Sequence, residues 1–227
     1  MKGLIHGIGI NDADYTVQIN EVIERGFNGK AKYKMVWICP YYKIWRAMVC
    51  RAYSPNRTNM EHYGGVSVCQ EWWLFSNYKA WLLENNYKEG LAIDKDLLIL
   101  GNREYSPQTC TIVPASVNSL ITCFKSNKGI YPVGVSKNGN RLISRVHIGN
   151  GSESMSLGNF VCEFEAHKAW QKKKADVIEE RVTWWEENFP DNFNLQAASN
   201  LKEIAGVLRQ EAELGIETTR FRLSLDS

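Results

Sequence analysis

The chain has 227 residues, of which 44% are hydrophobic and 11% aromatic, and its formal net charge is only +2. That composition can bury a substantial core and excludes an intrinsically disordered chain. No run reaches the ~18 consecutive apolar residues of a membrane span, and the start MKGLIHGIGINDADY lacks the apolar stretch of a secretory leader, so a cytoplasmic protein with no membrane partner is expected.

Residues 1–35 show no sustained period and read as irregular or short-stranded. In CPYYKIWRAMVCRAYSP (39–55), Tyr42, Trp45, Met48 and Val49 fall at helical spacing, and Pro55 closes the segment. NRTNMEHYGG is a loop and VSVC a short strand. QEWWLFSNYKAWLLENN (70–86) reads as a second amphipathic helix with Trp73, Tyr78, Trp81 and Leu82 toward the core. The next stretch, LAIDKDLLILGNREYSPQTCTIV (91–113), opens as a strand and is then broken by Asp94, Lys95 and Asp96. A polar turn and a second apolar strand follow, and PASVNSLITCF reads as a short helix entered at Pro114, a position that tolerates proline.

SNKG (126–129) has the composition of a linker. Beyond it, three short strands are joined by KNGN and GNGSES, and the Asn-Gly pair is a hairpin signal. A long helix is expected from about Glu163 to Glu187, with Ala166, Ala169, Trp170, Val177, Ile178, Val182 and Trp185 along one side. Pro190 ends it, and a final helix carries Leu201, Ile204, Ala205, Leu208 and Leu214 on one stripe. The expected class is α+β: a ββα module with flanking helices, a three-stranded antiparallel sheet packed on one helix, and a C-terminal helix. The expected segments are 1–125, 129–190 and 191–227.

Six cysteines (Cys39, Cys50, Cys69, Cys110, Cys123, Cys162) form no CxxC pair. Buried thiols in a reducing compartment account for them better than disulfides or zinc, although Cys50, Cys69, Cys110 and His62 are the set that would have to converge on a zinc ion. The charge is unevenly laid out. Residues 1–60 carry nine Lys/Arg against four Asp/Glu, no acid stands between Glu104 and Glu153, and residues 176–217 carry ten acids against three basic residues. A long acid-free stretch suits a polyanionic partner, because a carboxylate near a phosphate is a penalty.

The segment GVSVCQEWWLFSNYKAWLLENN…LAIDKDLLILGNREYSPQTCTIVPASVNSL resembles the HNH-type (His-Me finger) endonucleases of bacteriophages and mobile elements over about residues 39–123. The resemblance implies one Mg²⁺ or Mn²⁺ held by Asp94 and Asn118, a general base near Lys95 or Asp96, and Arg103 on phosphate. Such an ion would stabilise the phosphorane and the leaving oxygen. Lys95 stands where the family has its base histidine, and Thr109 where it has a ligand asparagine. Lysine is a weak base at neutral pH, and flanking aspartates strengthen its hold on the proton. Asp96 or His62 would then have to substitute. Two other readings are that Asp94, Lys95 and Asp96 form an ion-paired structural turn, or that a degenerate module grips phosphate through Lys95 and Arg103.

The segment YPVGVSKNGNRLISRVHIGNGSESMSLGNFVCEFEAHKAW resembles the Apetala/ethylene-response-factor type of DNA-binding domain over about residues 130–180. The matching features are VGV at 133–135, the strand RLISRVHI, the Leu157-Gly158 pair before Phe160, and EFEAHKAW opening the helix. Alternation along the strand places Arg141, Ile143, Arg145 and His147 on one face and Leu142, Ser144 and Val146 on the other, under the helix. The resemblance implies double-stranded DNA as the partner, with Ser136, Lys137, Asn138, Arg141, Arg145, His147, Ser154 and Ser156 at the interface. Three function classes follow: a phage-type DNA-binding protein of HNH descent that nicks DNA in the host cytoplasm, a non-catalytic DNA-binding regulator, or a protein-directed inhibitor of a host defence. For the last, the acidic C-terminal helices would meet a protein partner or a second copy.

Overall fold

A computed structural model describes residues 3–25, 30–54, 65–121, 130–149 and 153–219. The described residues form an α+β arrangement of five α-helices and several small sheets, one of them three-stranded and antiparallel. By its contacts the chain divides into two units: Met1–Glu89 with Arg103–Gln108, and Gly90–Asn102 with Thr109–Ser227.

The first unit begins with an antiparallel ribbon of two eight-residue strands, β1 (Gln18–Arg25) and β2 (Ala31–Ile38). Residues 3–17 are irregular as expected, with only isolated bridges, but the short strands expected up to 35 are corrected to two eight-residue strands, the second running on to Ile38; KYKM alternates with a strand's period of two. Helix α1 (Pro40–Tyr53) starts on its proline and buries Tyr42, Trp45, Met48 and Val49. The two-residue strand β3 (Ser67–Val68) runs parallel to β5 (Glu104–Tyr105), the chain having passed through β4 (Leu91–Asp94) in between. Instead of one helix over 70–86, Gln70–Trp73 forms a 3-10 turn, Leu74 is extended (φ −81°, ψ 126°), and α2 runs Phe75–Glu84. That break resets the helical phase, so Trp72 is fully buried and Trp73 half-buried.

The core of this unit is aromatic. Trp45 Nε1 donates to the Trp72 carbonyl at 2.8 Å. The Trp72 ring packs 4.9 Å from Tyr78 and 4.8 Å from Trp81, distances at which tilted and edge-to-face pairs are favourable. Asp12 reaches across from the N-terminal segment to accept from the Ser76 backbone N–H at 2.9 Å and its hydroxyl at 2.5 Å, capping the first turn of α2.

In the second unit, β4 pairs antiparallel with β6 (Thr111–Pro114), Asp94 lying opposite Thr111. A single turn, α3 (Ala115–Asn118), follows. Strands β7 (Val135–Asn138), β8 (Arg141–His147) and β9 (Ser154–Phe160) make the sheet in the order β7-β8-β9. Helix α4 (Glu163–Asn188) and helix α5 (Leu195–Leu214) complete it. One apolar cluster joins Val113 of the hairpin, Val117 of α3, Val146 of the sheet, Trp170 and Ile178 of α4, and Leu201 and Leu208 of α5. The hairpin therefore shares a core with the small sheet and the last two helices. Two positions expected inside lie further out: Ala169 is half-buried, and Leu214, the last residue before the left-handed Gly215 (φ 67°), is 63% exposed.

Candidate nucleic-acid interface

The sheet is tied together by glycines at positions where other residues would be strained. The β7–β8 hairpin turns through Gly139 and Asn140, with Asn138 paired to Arg141. Gly139, at φ +61°, takes the first central position of a two-residue turn. Just before β7, Gly134 sits at φ +81° under the indole of Trp170, where an added Cβ would lie 2.0 Å from Cδ1. Between Ser144 and Arg145 the β8–β9 register shifts, and Gly158 opposite Ser144 takes φ +122°. Such an irregularity needs a residue free of Cβ constraints. Gly134 and Gly158 are the glycines of the VGV and Leu157-Gly158 features, and Gly139 is that of KNGN.

One face of the sheet lies under α4: Ser144 and Val146 are fully buried. On the other, Asn138 stands beside Arg141, Arg145 beside Ser156, and His147 beside Ser154. Arg141, Arg145, Ser136, Asn138, Ser154 and Ser156 are exposed, and His147 is half-buried. Ile143 departs from the expected open face, being buried at 7% exposure. A short branched side chain on the central strand is enclosed by its neighbours, while the arginine stem carries its guanidinium outward. Lys137 is exposed but pairs with Leu142, so its side chain leaves the strand on the side opposite Ser136 and Asn138.

The charged hairpin turn is closed on itself by short bonds. Asp94, buried, accepts at Oδ1 from the backbone N–H of Asp96 at 2.7 Å and of Leu97 at 2.6 Å. Lys95 Nζ donates to Asp96 Oδ1 and to the Asn102 carbonyl, both at 2.5 Å. Asn102 Nδ2 donates back to the Lys95 carbonyl at 2.9 Å. From α5, Asn200 Nδ2 donates to the carbonyls of Leu97 at 2.8 Å and Leu98 at 3.0 Å. An oxygen that serves two N–H groups, next to a carboxylate already holding an ammonium, fits the anchoring of a turn better than a divalent ion.

Asn118 ends α3 and is half-buried. Arg103 belongs to the first unit, where its carbonyl accepts from the Ser67 N–H at 2.8 Å, whereas Asp94, Lys95, Asp96, Thr109 and Asn118 belong to the second. His62 lies outside the described residues. Cys50 and Cys69 fall in the first unit and Cys110 in the second, and burial pushes the Cys69 thiol pKa up. Among the described residues, no three or more His, Cys, Asp or Glu side chains gather as metal ligands, and no helix is long and apolar enough to cross a membrane.

The acids of the C-terminal helices are partly engaged within the unit. Arg209 of α5 binds Glu179 and reaches Asp176 at 3.0 Å, both on α4. The Glu179 carboxyl is held below its ordinary range by that guanidinium. Glu211 Oε2 accepts from the Thr218 hydroxyl at 2.7 Å, and the Thr218 N–H donates to buried His167 Nε2 at 3.1 Å. The sequence patterns did not single out this network. No family model, curated protein or solved structure matches the chain.

Proposed function

We propose that this protein docks on double-stranded DNA through the outer face of the β7-β8-β9 sheet, as a phage-type DNA-binding protein of HNH-endonuclease descent whose hairpin turn anchors structure rather than cutting. The observation that carries the reading is the pair Arg141 and Arg145, exposed on a sheet whose reverse is buried under α4, within a span free of acidic residues from 105 to 152. Three strands spaced ~4.8 Å apart make a surface of about 10–14 Å, a match for a major groove ~12 Å wide. Guanidinium groups suit both guanine edges and phosphates. The polar, uncharged Ser136, Asn138, Ser154 and Ser156 around them add hydrogen-bonding capacity without repelling the backbone.

The test is a mobility shift with random-sequence duplex DNA. The intact protein is expected to retard it, and Arg145→Ala to weaken binding about tenfold, within the ~1–3 kcal/mol of one good contact. No retardation at low salt would sink the proposal. Plasmid nicking in Mg²⁺ or Mn²⁺, abolished by Asp94→Ala, would instead favour the endonuclease reading.

A further inference from the structure

Helix α5 ends at the left-handed Gly215, and the chain turns back onto α4 as a short strap, residues 216–218. The Ile216 carbonyl accepts from Gln171 Nε2 at 2.9 Å, and the same nitrogen donates to the Thr218 hydroxyl at 2.9 Å. That hydroxyl donates in turn to Glu211 Oε2 at 2.7 Å. His167, Gln171, Glu211 and Thr218 are all buried, so polar side chains from two helices and the strap meet away from solvent. Their bonds leave one protonation state for the imidazole. The Thr218 backbone N–H can only donate, so His167 Nε2, 3.1 Å away, is an acceptor and carries no proton. The proton sits on Nδ1, 2.9 Å from the Val133 carbonyl, which can only accept. The ring is thus neutral, and it lies nearly parallel to the Trp170 indole, with centroids 5.5 Å apart.

We propose that His167 is a pH-sensitive latch, whose neutral ring holds the 216–218 strap on α4 and whose protonation releases it. A proton on Nε2 turns the acceptor into a donor aimed at the Thr218 N–H, and both donors are then buried without an acceptor, which is unfavourable. The charged groups around the ring supply the second state. Glu211 comes from α5 and Glu217 from the strap, while Glu163 and Lys174 stand about one and two turns away on α4 itself. Arg209 of α5 is taken up by Glu179 and Asp176, the sheet keeps Arg141 and Arg145 exposed on its far face, and the lead-in to β7 presents the Val133 carbonyl. Once the strap has left, the Glu211 carboxylate is relieved of the Thr218 hydroxyl and becomes the acceptor for the imidazolium. The closed form is therefore complete above the ordinary imidazole pKa of ~6.5 and is lost as pH falls below it, in a range above that where carboxylates titrate. The inference is independent of the DNA reading.

Amide hydrogen exchange of the full chain, corrected for the intrinsic effect of pH on exchange, is the test. Protection of the Thr218 amide is expected to fall about thirtyfold from about pH 7.5 to about pH 5, while the α4 amides around Trp185 stay protected. His167→Gln keeps an oxygen for the Thr218 N–H and an N–H for the Val133 carbonyl but has no proton to gain. Its Thr218 protection is expected to change by less than about threefold over the same range. Nitrogen-15 shifts of the His167 ring are expected to show the Nδ1–H tautomer at neutral pH. Undiminished Thr218 protection at acid pH in the native chain, an Nε2–H tautomer, or the same loss in a folded His167→Gln overturns the inference. So does loss of α4 protection at the same pH as the strap's, which would make the change one of global unfolding.

Discussion

Two single residues have sharply defined structural duties. Gly134 combines a left-handed backbone with an indole 2.0 Å from where a Cβ would stand. Gly134→Ala therefore has to shift Trp170 or the start of β7, and is expected to cost about 2–4 kcal/mol, read by urea unfolding. Retained stability would mean that the ring relocates freely. Asp94 serves as the acceptor for the N–H groups of Asp96 and Leu97. Asp94→Ala leaves both donors without that oxygen, with an expected loss of about 1–3 kcal/mol, whereas Asp94→Asn keeps an acceptor and is expected to lose less. An equal loss in the two variants would show that the carboxylate charge, not the acceptor geometry, is what the turn requires.

At the scale of elements, α4 and α5 are joined by an apolar seam and by polar links, the Arg209 clamp among them. Asn194 caps α5, its side chain accepting from the Ala197 N–H at 2.9 Å, and Gly215 ends the helix in the left-handed conformation. Between the helices, Arg209 binds Glu179 and Asp176. Because folding lowers the pKa of Glu179, its contribution is fully present above the ordinary carboxylate range. It is lost as pH falls through the lowered folded value. Glu179→Gln is expected to cost less than ~1 kcal/mol at neutral pH, as befits a pair that solvent reaches, and to flatten the acid limb of the stability profile. Thermal melts from neutral to acid pH check this; a parallel offset at every pH would assign the effect to packing.

At the scale of the whole molecule, a net charge of +2 conceals a basic stretch and an acidic one. If Arg141 and Arg145 are the phosphate contacts, the logarithm of affinity should fall with the logarithm of salt at a slope near −1.8, about 12-fold between ~50 and ~200 mM. Arg145→Ala should reduce the slope by about one. A slope near zero would remove the electrostatic basis of the DNA proposal.

The sequence by itself determined the α+β class, the three-stranded sheet and its edges at the Asn-Gly turn, and the long helix. These follow from local periods and turn chemistry. The same patterns placed Arg141 and Arg145 outward and Ser144 and Val146 inward. What needed the tertiary structure was every choice among chemically equal neighbours. Trp72 rather than Trp73 is fully buried because Leu74 breaks the helical phase. Ile143 is buried because its strand is central. In the hairpin, Asp94 accepts from the N–H groups of Asp96 and Leu97, and Lys95 donates to Asp96 and to the Asn102 carbonyl, partners that no local period announces. Periodicity reports which side of an element is apolar, but a carboxylate's role depends on which donors the rest of the chain brings within reach of it.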